Sequence, residues 1–402
     1  MKRGPSEVEA ALAQIDRDSL RRERRTLEEF VEPDSRVTVR AAGRLLVDFS
    51  SNDYLGLARH PEVVSAMSDC ATRCGAGSGA SHLVTGHGAE HARLEEELAA
   101  FTGRERALLF STGYMANLAV ISTLAGRGEW VLLDRLSHAS LIDAGLLSGA
   151  RFRRYPHLDA TAAETQLTGL SQAAAVVATD GVFSMDGDLA PLDALARSTR
   201  KHEAWLVVDD AHGLGVLGKT GRGSLEHYGL DAESVPVLVG TLGKALGSFG
   251  AFVAGSSDLI ELLMQRARAY IYTTALPQPV AAATRKALQI AQRESWRRER
   301  VLALTARFRA AAVQLGVPLL PEGAQPLTPI QPIVLGGSKA ALAAQQELLV
   351  RGFCVIAIRP PTVPRGTARL RVTLSAAHSE SQIDALAEAL SIACTQQRRN
   401  GA

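Results

Sequence analysis

Lys244 lies in the run Val-Gly-Thr-Leu-Gly-Lys-Ala-Leu-Gly-Ser-Phe-Gly (239–250), and upstream of it Asp209 ends the apolar stretch of Trp-Leu-Val-Val-Asp-Asp-Ala-His (205–212). A lysine amine can hold an aldehyde as a Schiff base. A carboxylate at the end of a buried strand can keep a pyridine nitrogen protonated, which makes the ring an electron sink. Pyridoxal 5'-phosphate (PLP) uses both. Each residue also has a plainer reading, as a solvated lysine between glycines and as an aspartate that forms a turn.

Other segments supply the pieces such a cofactor needs. Ala-Leu-Leu-Phe-Ser-Thr-Gly-Tyr-Met-Ala-Asn (107–117) reads as a short strand, a turn and the opening of a helix through about residue 125. Free amides and the positive dipole end at such a start suit a phosphate, although a capped βα turn has the same pattern. His138, in Leu-Ser-His-Ala-Ser, follows the strand Trp-Val-Leu-Leu-Asp (130–134) and could lay its ring on the cofactor. Ser184 and Asp186 lie beyond a third strand, where open α/β sheets place ligands.

With these motifs in order, the chain resembles the α-oxoamine synthases among the fold-type-I PLP enzymes. The likeness runs from about residue 45 to 378. It includes Ser-Ser-Asn-Asp-Tyr-Leu-Gly (50–56), Gly-Ser-Gly-Ala-Ser (77–81), Ser-His-Ala-Ser (137–140), Gly-Val-Phe-Ser-Met-Asp-Gly-Asp (181–188), Asp-Asp-Ala-His-Gly (209–213) and Thr-Leu-Gly-Lys (241–244). The run 357–371, with Pro-Pro-Thr-Val-Pro-Arg-Gly, looks most like the biotin-pathway branch, and the glycine-using branches share much of it.

The resemblance implies a transferase with a large, mostly parallel sheet domain and a smaller α+β C-terminal domain. Lys244 would hold the cofactor covalently, Asp209 would pair with the pyridine nitrogen, and His138 would stack on the ring, these three being the catalytic residues. Gly113, Tyr114, Ser184, His212, Thr241 and Thr274 would bind the cofactor with them, Thr274 reaching it from a neighbouring subunit of a homodimer. Arg21, Asn52, His138, Arg359 and Thr362 match substrate-contacting positions, Arg359 through the amino-acid carboxylate. Asp180 stands where the family usually has the longer Glu. The reaction implied is decarboxylative condensation of L-alanine with a pimeloyl thioester of coenzyme A or an acyl carrier protein. Glycine with succinyl or acetyl thioester, as in 5-aminolevulinate synthase or 2-amino-3-ketobutyrate CoA ligase, is the alternative.

A competing motif overlaps these residues. Gly213 to Thr220 satisfies G-x-x-x-x-G-K-T, and Gly213, Gly215 and Gly218 satisfy G-x-G-x-x-G. Either motif must run into a helix, and Gly221-Arg-Gly223-Ser is a poor helix start. A nucleotide-binding protein is therefore the disfavoured reading.

These residues need a frame. The 402 residues, 46% of them hydrophobic, can bury two or three domains, and a net charge of +2 gives no electrostatic case for nucleic acid or membrane partners. Cys70, Cys74, Cys354 and Cys394 read as core thiols of a reducing compartment, with no metal site expected. The absence of a long apolar run predicts a cytoplasmic protein. Residues 1–49 read as a charged helix (6–29) and a hairpin (36–49) that pack with the small domain, 50–290 as the PLP-binding α/β domain, and 291–402 as the α+β domain. Within 291–402 the spacing predicts strands at 329–335, 353–358 and 368–374 and helices at 338–351 and 379–395. The arginine cluster Arg17, Arg22, Arg24 and Arg25 reads as a solvated face.

Overall fold

The computed structural model describes residue 4 and residues 7–30, 37–170, 175–319 and 328–401. Two compact units account for the chain: Asn52–Ser184 with Asp188–Arg300, and Met1–Ser51 with Met185–Gly187 and Val301–Ala402.

The first unit is built on a seven-stranded sheet. Its spatial order is Arg106–Phe110, Ala251–Gly255, Val237–Thr241, Trp205–Asp209, Ala175–Asp180, Trp130–Asp134, Arg151–Tyr155. Ala251–Gly255 runs antiparallel to both neighbours, and the other pairings are parallel. The central strands are nearly continuous apolar runs because helices cover both faces, as a parallel sheet with crossover helices requires. Val131, Val177, Val207, Val237 and Val239 are fully sealed from water. The carboxyl ends of four adjacent parallel strands then deliver Asp134, Asp180, Asp209 and Thr241 to one edge of the sheet. Ligands of open α/β sheets bind along such an edge.

Helix Gly113–Leu124 follows the first strand directly. Thr112 caps it by accepting from the Met115 amide at 3.2 Å. Ala116, Asn117, Ala119, Val120 and Ile121 form its buried face. Asn117 is the one polar member of that face, and a buried carboxamide among alanines and β-branched residues needs a partner.

The second unit holds a three-stranded antiparallel sheet, Ile330–Gly336, Ala368–Thr373 and Ile356–Ile358, and a four-stranded one, Glu29–Phe30, Thr38–Ala41, Arg44–Asp48 and Phe353–Cys354. Helices Ser338–Val350 and Glu380–Gly401 belong to it. Phe49, Phe308, Leu370, Ile383 and Leu390 share its core, where Phe49 stacks on the buried His378 at 4.1 Å between ring centres.

Three expectations change. The charged helix ends at Arg17, because the chain turns at Ser19, whose φ is 55°, and continues without regular structure through Glu28; residue 6 lies outside the described residues. The strand 353–358 is two short strands in different sheets: Phe353–Cys354 pairs with Arg44–Asp48, and Ile356–Ile358 with Ala368–Thr373. Cys74 is exposed at the end of helix Pro61–Cys74, whereas Cys70 and Cys394 are buried. The hairpin turns at Ala42 and Gly43, both at positive φ, which suits a two-residue loop; residue 36 lies outside the described residues.

Candidate active site

Two hydrogen-bonded chains of side chains meet at the edge of the large sheet. The first starts at Asp209, which is 5% exposed. One of its carboxylate oxygens accepts from the Ala211 amide at 3.1 Å, and the other from Asn117 Nδ2 at 2.6 Å. An ionised carboxylate only accepts, so the Asn117 atom facing it must be the amide nitrogen. The second proton of that nitrogen goes to Ser140 Oγ at 2.8 Å, and Ser140 is 2.7 Å from His138 Nδ1. With its oxygen accepting from Asn117, Ser140 donates to His138. His138 Nδ1 is therefore an acceptor, and the ring proton of the neutral imidazole belongs on Nε2.

His138 is exposed. Desolvation, then the charge of Lys244, hold its pKa below the ordinary value against the pull of Asp209 and Asp143. It stays neutral near pH 7. Its backbone amide donates to Asp180 Oδ2 at 2.9 Å. Burial, then the neighbouring Asp209, raise the Asp180 carboxyl well above the carboxylate range. The short Asp180 side chain thus anchors the His138 turn.

The second chain starts at Lys244, whose Nζ is 3.0 Å from His212 Nε2. As an ammonium, Lys244 only donates, so His212 Nδ1 carries the ring proton toward the Tyr54 hydroxyl at 2.6 Å. Tyr54, fully buried, in turn donates to Asn52 Oδ1 at 3.3 Å. The lysine that could form a Schiff base is joined through two intermediates to the carboxamide expected at the substrate.

Around these chains lies a cradle. A Cβ on Gly113 would come within 2.9 Å of Thr241 Cγ2, so only glycine admits this approach of the helix start to the strand. Thr241 Oγ1 is 3.4 Å from the Ala211 carbonyl. The Tyr114 hydroxyl donates to Asp143 at 2.6 Å. Ser184 follows strand Ala175–Asp180 in a half-buried turn, and the exposed Thr274 offers its carbonyl to Ser111 Oγ at 3.5 Å. A PLP group fits these residues: an amine for the aldehyde, a buried carboxylate with a further buried acceptor beside it, Asn117 Oδ1, which has no partner among the described residues, and open helix amides for the phosphate.

The remaining expected residues lie in the smaller unit. Arg359 donates to the carbonyls of Ser19 at 2.5 Å and Arg21 at 3.0 Å. Arg21 pairs with Asp16, and Thr362 Oγ1 is 3.3 Å from Arg22. Asp186 pairs with the buried Arg369. Sequence reasoning missed Asn117, Ser140 and Tyr54. Ser140 and Tyr54 stand inside quoted motifs, and Asn117 follows Gly113 by one helical turn, a spacing that puts both on one helix face.

The nucleotide-loop motif has a different purpose. Glu226 fills the loop, accepting from the amides of Thr220 and Arg222 at 3.0 Å, and the next helix starts only at Ser224. Gly213 and Gly223 make room for the buried Asp210, whose oxygens would lie 2.1 and 1.8 Å from an added Cβ.

The class I and II aminotransferase family model matches residues 45–390. An 8-amino-7-oxononanoate synthase of Methylococcus capsulatus is 61% identical over 390 residues, covering 96% of this chain and 98% of that protein. The chain belongs to the 8-amino-7-oxononanoate synthase family. One from Thioalkalivibrio sulfidiphilus is 59% identical over 96% of both chains. Among solved structures, a serine palmitoyltransferase of S. paucimobilis bearing PLP and myriocin superposes with TM-score 0.93 at 30% identity, over 99% of this chain and 100% of that one. An 8-amino-7-oxononanoate synthase of Francisella tularensis gives TM-score 0.76 at 32% identity, over 89% and 99%. The fold, the family and the PLP cofactor expected from the motifs are borne out: this is a PLP-dependent enzyme of the acyltransferase type.

Proposed function

We propose that the chain condenses L-alanine with a pimeloyl thioester, giving 8-amino-7-oxononanoate, carbon dioxide and free thiol in biotin synthesis. The observation that carries this reading is its 61% identity, over nearly its whole length, to a synthase of that name. Bound PLP supplies an electron sink for the carbanion formed when the amino acid loses its α-proton. Lys244 would hold the aldehyde and, as a free amine, would be the base that takes the α-proton and later returns one. Asp209, held by Asn117 and the Ala211 amide, would pair with the pyridine nitrogen. His138, its Nδ1 tied to Ser140, would stack on the ring. His212 passes hydrogen bonding between Lys244 and Tyr54, which fixes the amine when it is free. Gly113, Tyr114, Ser184 and Thr241 hold the cofactor, and Arg21, Asn52, Arg359 and Thr362 receive the substrates. Thr274 contributes to the site of a second subunit in a homodimer.

The acyl donor is a thioester of coenzyme A or of an acyl carrier protein, and the enzyme works in the cytoplasm. Among the described residues no helix is long and apolar enough to cross a membrane. The test is kcat/KM for L-alanine and glycine, each with pimeloyl and succinyl thioester. A methyl group in a fitted pocket is worth about 1–3 kcal/mol, roughly 10–200-fold, so alanine with pimeloyl thioester is expected to lead by such a factor. Preference for glycine with succinyl thioester would overturn the assignment.

A further inference from the structure

We infer that the arginines following the first helix form a receptor for the phosphorylated pantetheine arm of the acyl donor. The inference rests on the proposed reaction, whose acyl group arrives on the thiol of a phosphopantetheine, in coenzyme A and in a carrier protein alike.

The sequence pattern alone gives Arg22, Arg24 and Arg25 to solvent, and the structure leaves them exposed. With Arg21 and Arg359 they line one cavity of about 780 Å³ within the smaller unit. The first helix ends at Arg17, and the non-helical residues after the Ser19 turn line the cavity. Five guanidiniums there face only two carboxylates, Asp16 and Glu23, which leaves three positive charges unbalanced. Asp16 is already committed to Arg21.

The donors of the others are weakly engaged. Arg24 makes no hydrogen bond or ion pair among the described residues, and the side-chain contact of Arg25 is the soft Cys354 Sγ at 3.6 Å. Arg359 bonds neutral carbonyls, which satisfy protons without cancelling charge. Burial, then the charge of Arg22, lower its pKa. Like charges crowded around a hollow with too few counter-ions are relieved by an anion entering it, and guanidinium forks match phosphate oxygens. Leu342, Ile356 and Ile358 give the same cavity an apolar wall, along which a pantetheine chain can lie. A free inorganic anion would not use that wall. An arm with a phosphate head and a slender, largely apolar tail uses both.

The test employs the full-length holoenzyme with Arg24→Gln and Arg25→Gln combined, and Arg24→Lys with Arg25→Lys as the charge-keeping control. Three donors are compared: pimeloyl coenzyme A, pimeloyl carrier protein, and pimeloyl N-acetylcysteamine thioester, which carries no phosphate. The glutamine variant is expected to raise KM for both phosphate-bearing donors on the order of tenfold, with kcat at saturation little changed. KM for the N-acetylcysteamine thioester should move less than about twofold, and the lysine variant should recover most of the loss. Added salt should narrow the gap between wild type and variant, because screening removes what the substitution removes. Equal KM increases for all three thioesters, or an increase for only one phosphate-bearing donor, would overturn the inference. If wild type turns over none of the pimeloyl thioesters, the proposed reaction fails. Titration of coenzyme A into wild-type and variant holoenzyme then still decides the receptor, with unchanged affinity counting against it.

Discussion

Asn117 donates to Asp209 at 2.6 Å with one proton and to Ser140 at 2.8 Å with the other, so a single buried carboxamide couples the Asp209 carboxylate to the tautomer of His138. Replacing Asn117 by Ala removes a hydrogen bond to a charged group, worth about 1.5–3 kcal/mol. The expected loss in kcat/KM is roughly 10- to 100-fold. Asn117→Asp should be worse, since it sets a second carboxylate against Asp209. PLP affinity and kcat/KM measured together check this; wild-type values in Asn117→Ala would show that Asp209 needs no such partner.

Tyr54→Phe cuts the other chain. The substitution keeps the buried ring but leaves the His212 Nδ1 proton without its acceptor 2.6 Å away. An unpaired buried donor costs about 1–3 kcal/mol, and here the cost falls on the orientation of His212 beside Lys244. A loss of about tenfold in kcat, with thermal stability nearly intact, is the expected split. A variant that loses stability but keeps kcat would assign Tyr54 to packing alone.

Lys244, Asp209, His138 and the helix start at Gly113 were legible in the sequence because each stands at a strand end or turn, where local pattern fixes position. The alternation of apolar strands and glycine-rich junctions gave the parallel sheet for the same reason. Asn117 and Tyr54 were harder to read because their roles depend on what tertiary packing brings beside them: Asn117 is 92 positions from Asp209, and Tyr54 is 158 from His212. The charged segment 6–29 misled in another way. Helix propensity favours its Arg, Glu and Leu residues, but the carbonyls of Ser19 and Arg21 bond Arg359 instead of continuing the helix. The strand 353–358 reads as one apolar run, and nothing in its composition marks the switch between two sheets.

His157 links the turn after one strand to the loop after another, since Nδ1 meets Asp134 and Nε2 meets Asp188, each at 2.9 Å. Burial alone would lower its pKa, but the two carboxylates outweigh burial and push it up from 6.5 to about 10. A folded-state pKa raised above the unfolded value means that the native state binds the proton more tightly. The stabilisation is therefore fully present below about pH 6.5 and lost as pH rises from there to about 10. Melting temperature should fall across that window in the wild type. His157→Gln should melt lower at pH 6.5 and show a flatter profile, and parallel curves for the two proteins would remove His157 as the cause.

The homodimer proposal makes its sharpest claim at Thr274. Within one chain this residue is exposed, and among the described residues only its carbonyl is engaged, by Ser111 Oγ at 3.5 Å, so its side chain is available to another subunit. Lys244→Ala should lose turnover by several orders of magnitude, because the covalent link and the base disappear together. If Thr274 completes a neighbour's site, Thr274→Ala should weaken cofactor retention in both sites of its own homodimer. A mixed dimer of the two variants then contains one site with Lys244 intact and Thr274 supplied by the partner. Co-expressed, differently tagged subunits purified as the heterodimer should recover up to about half the wild-type activity per dimer, well above either parent. Absence of recovery in a verified heterodimer would place Thr274 in the site of its own chain, and a monomer with full activity would dispose of the shared site altogether.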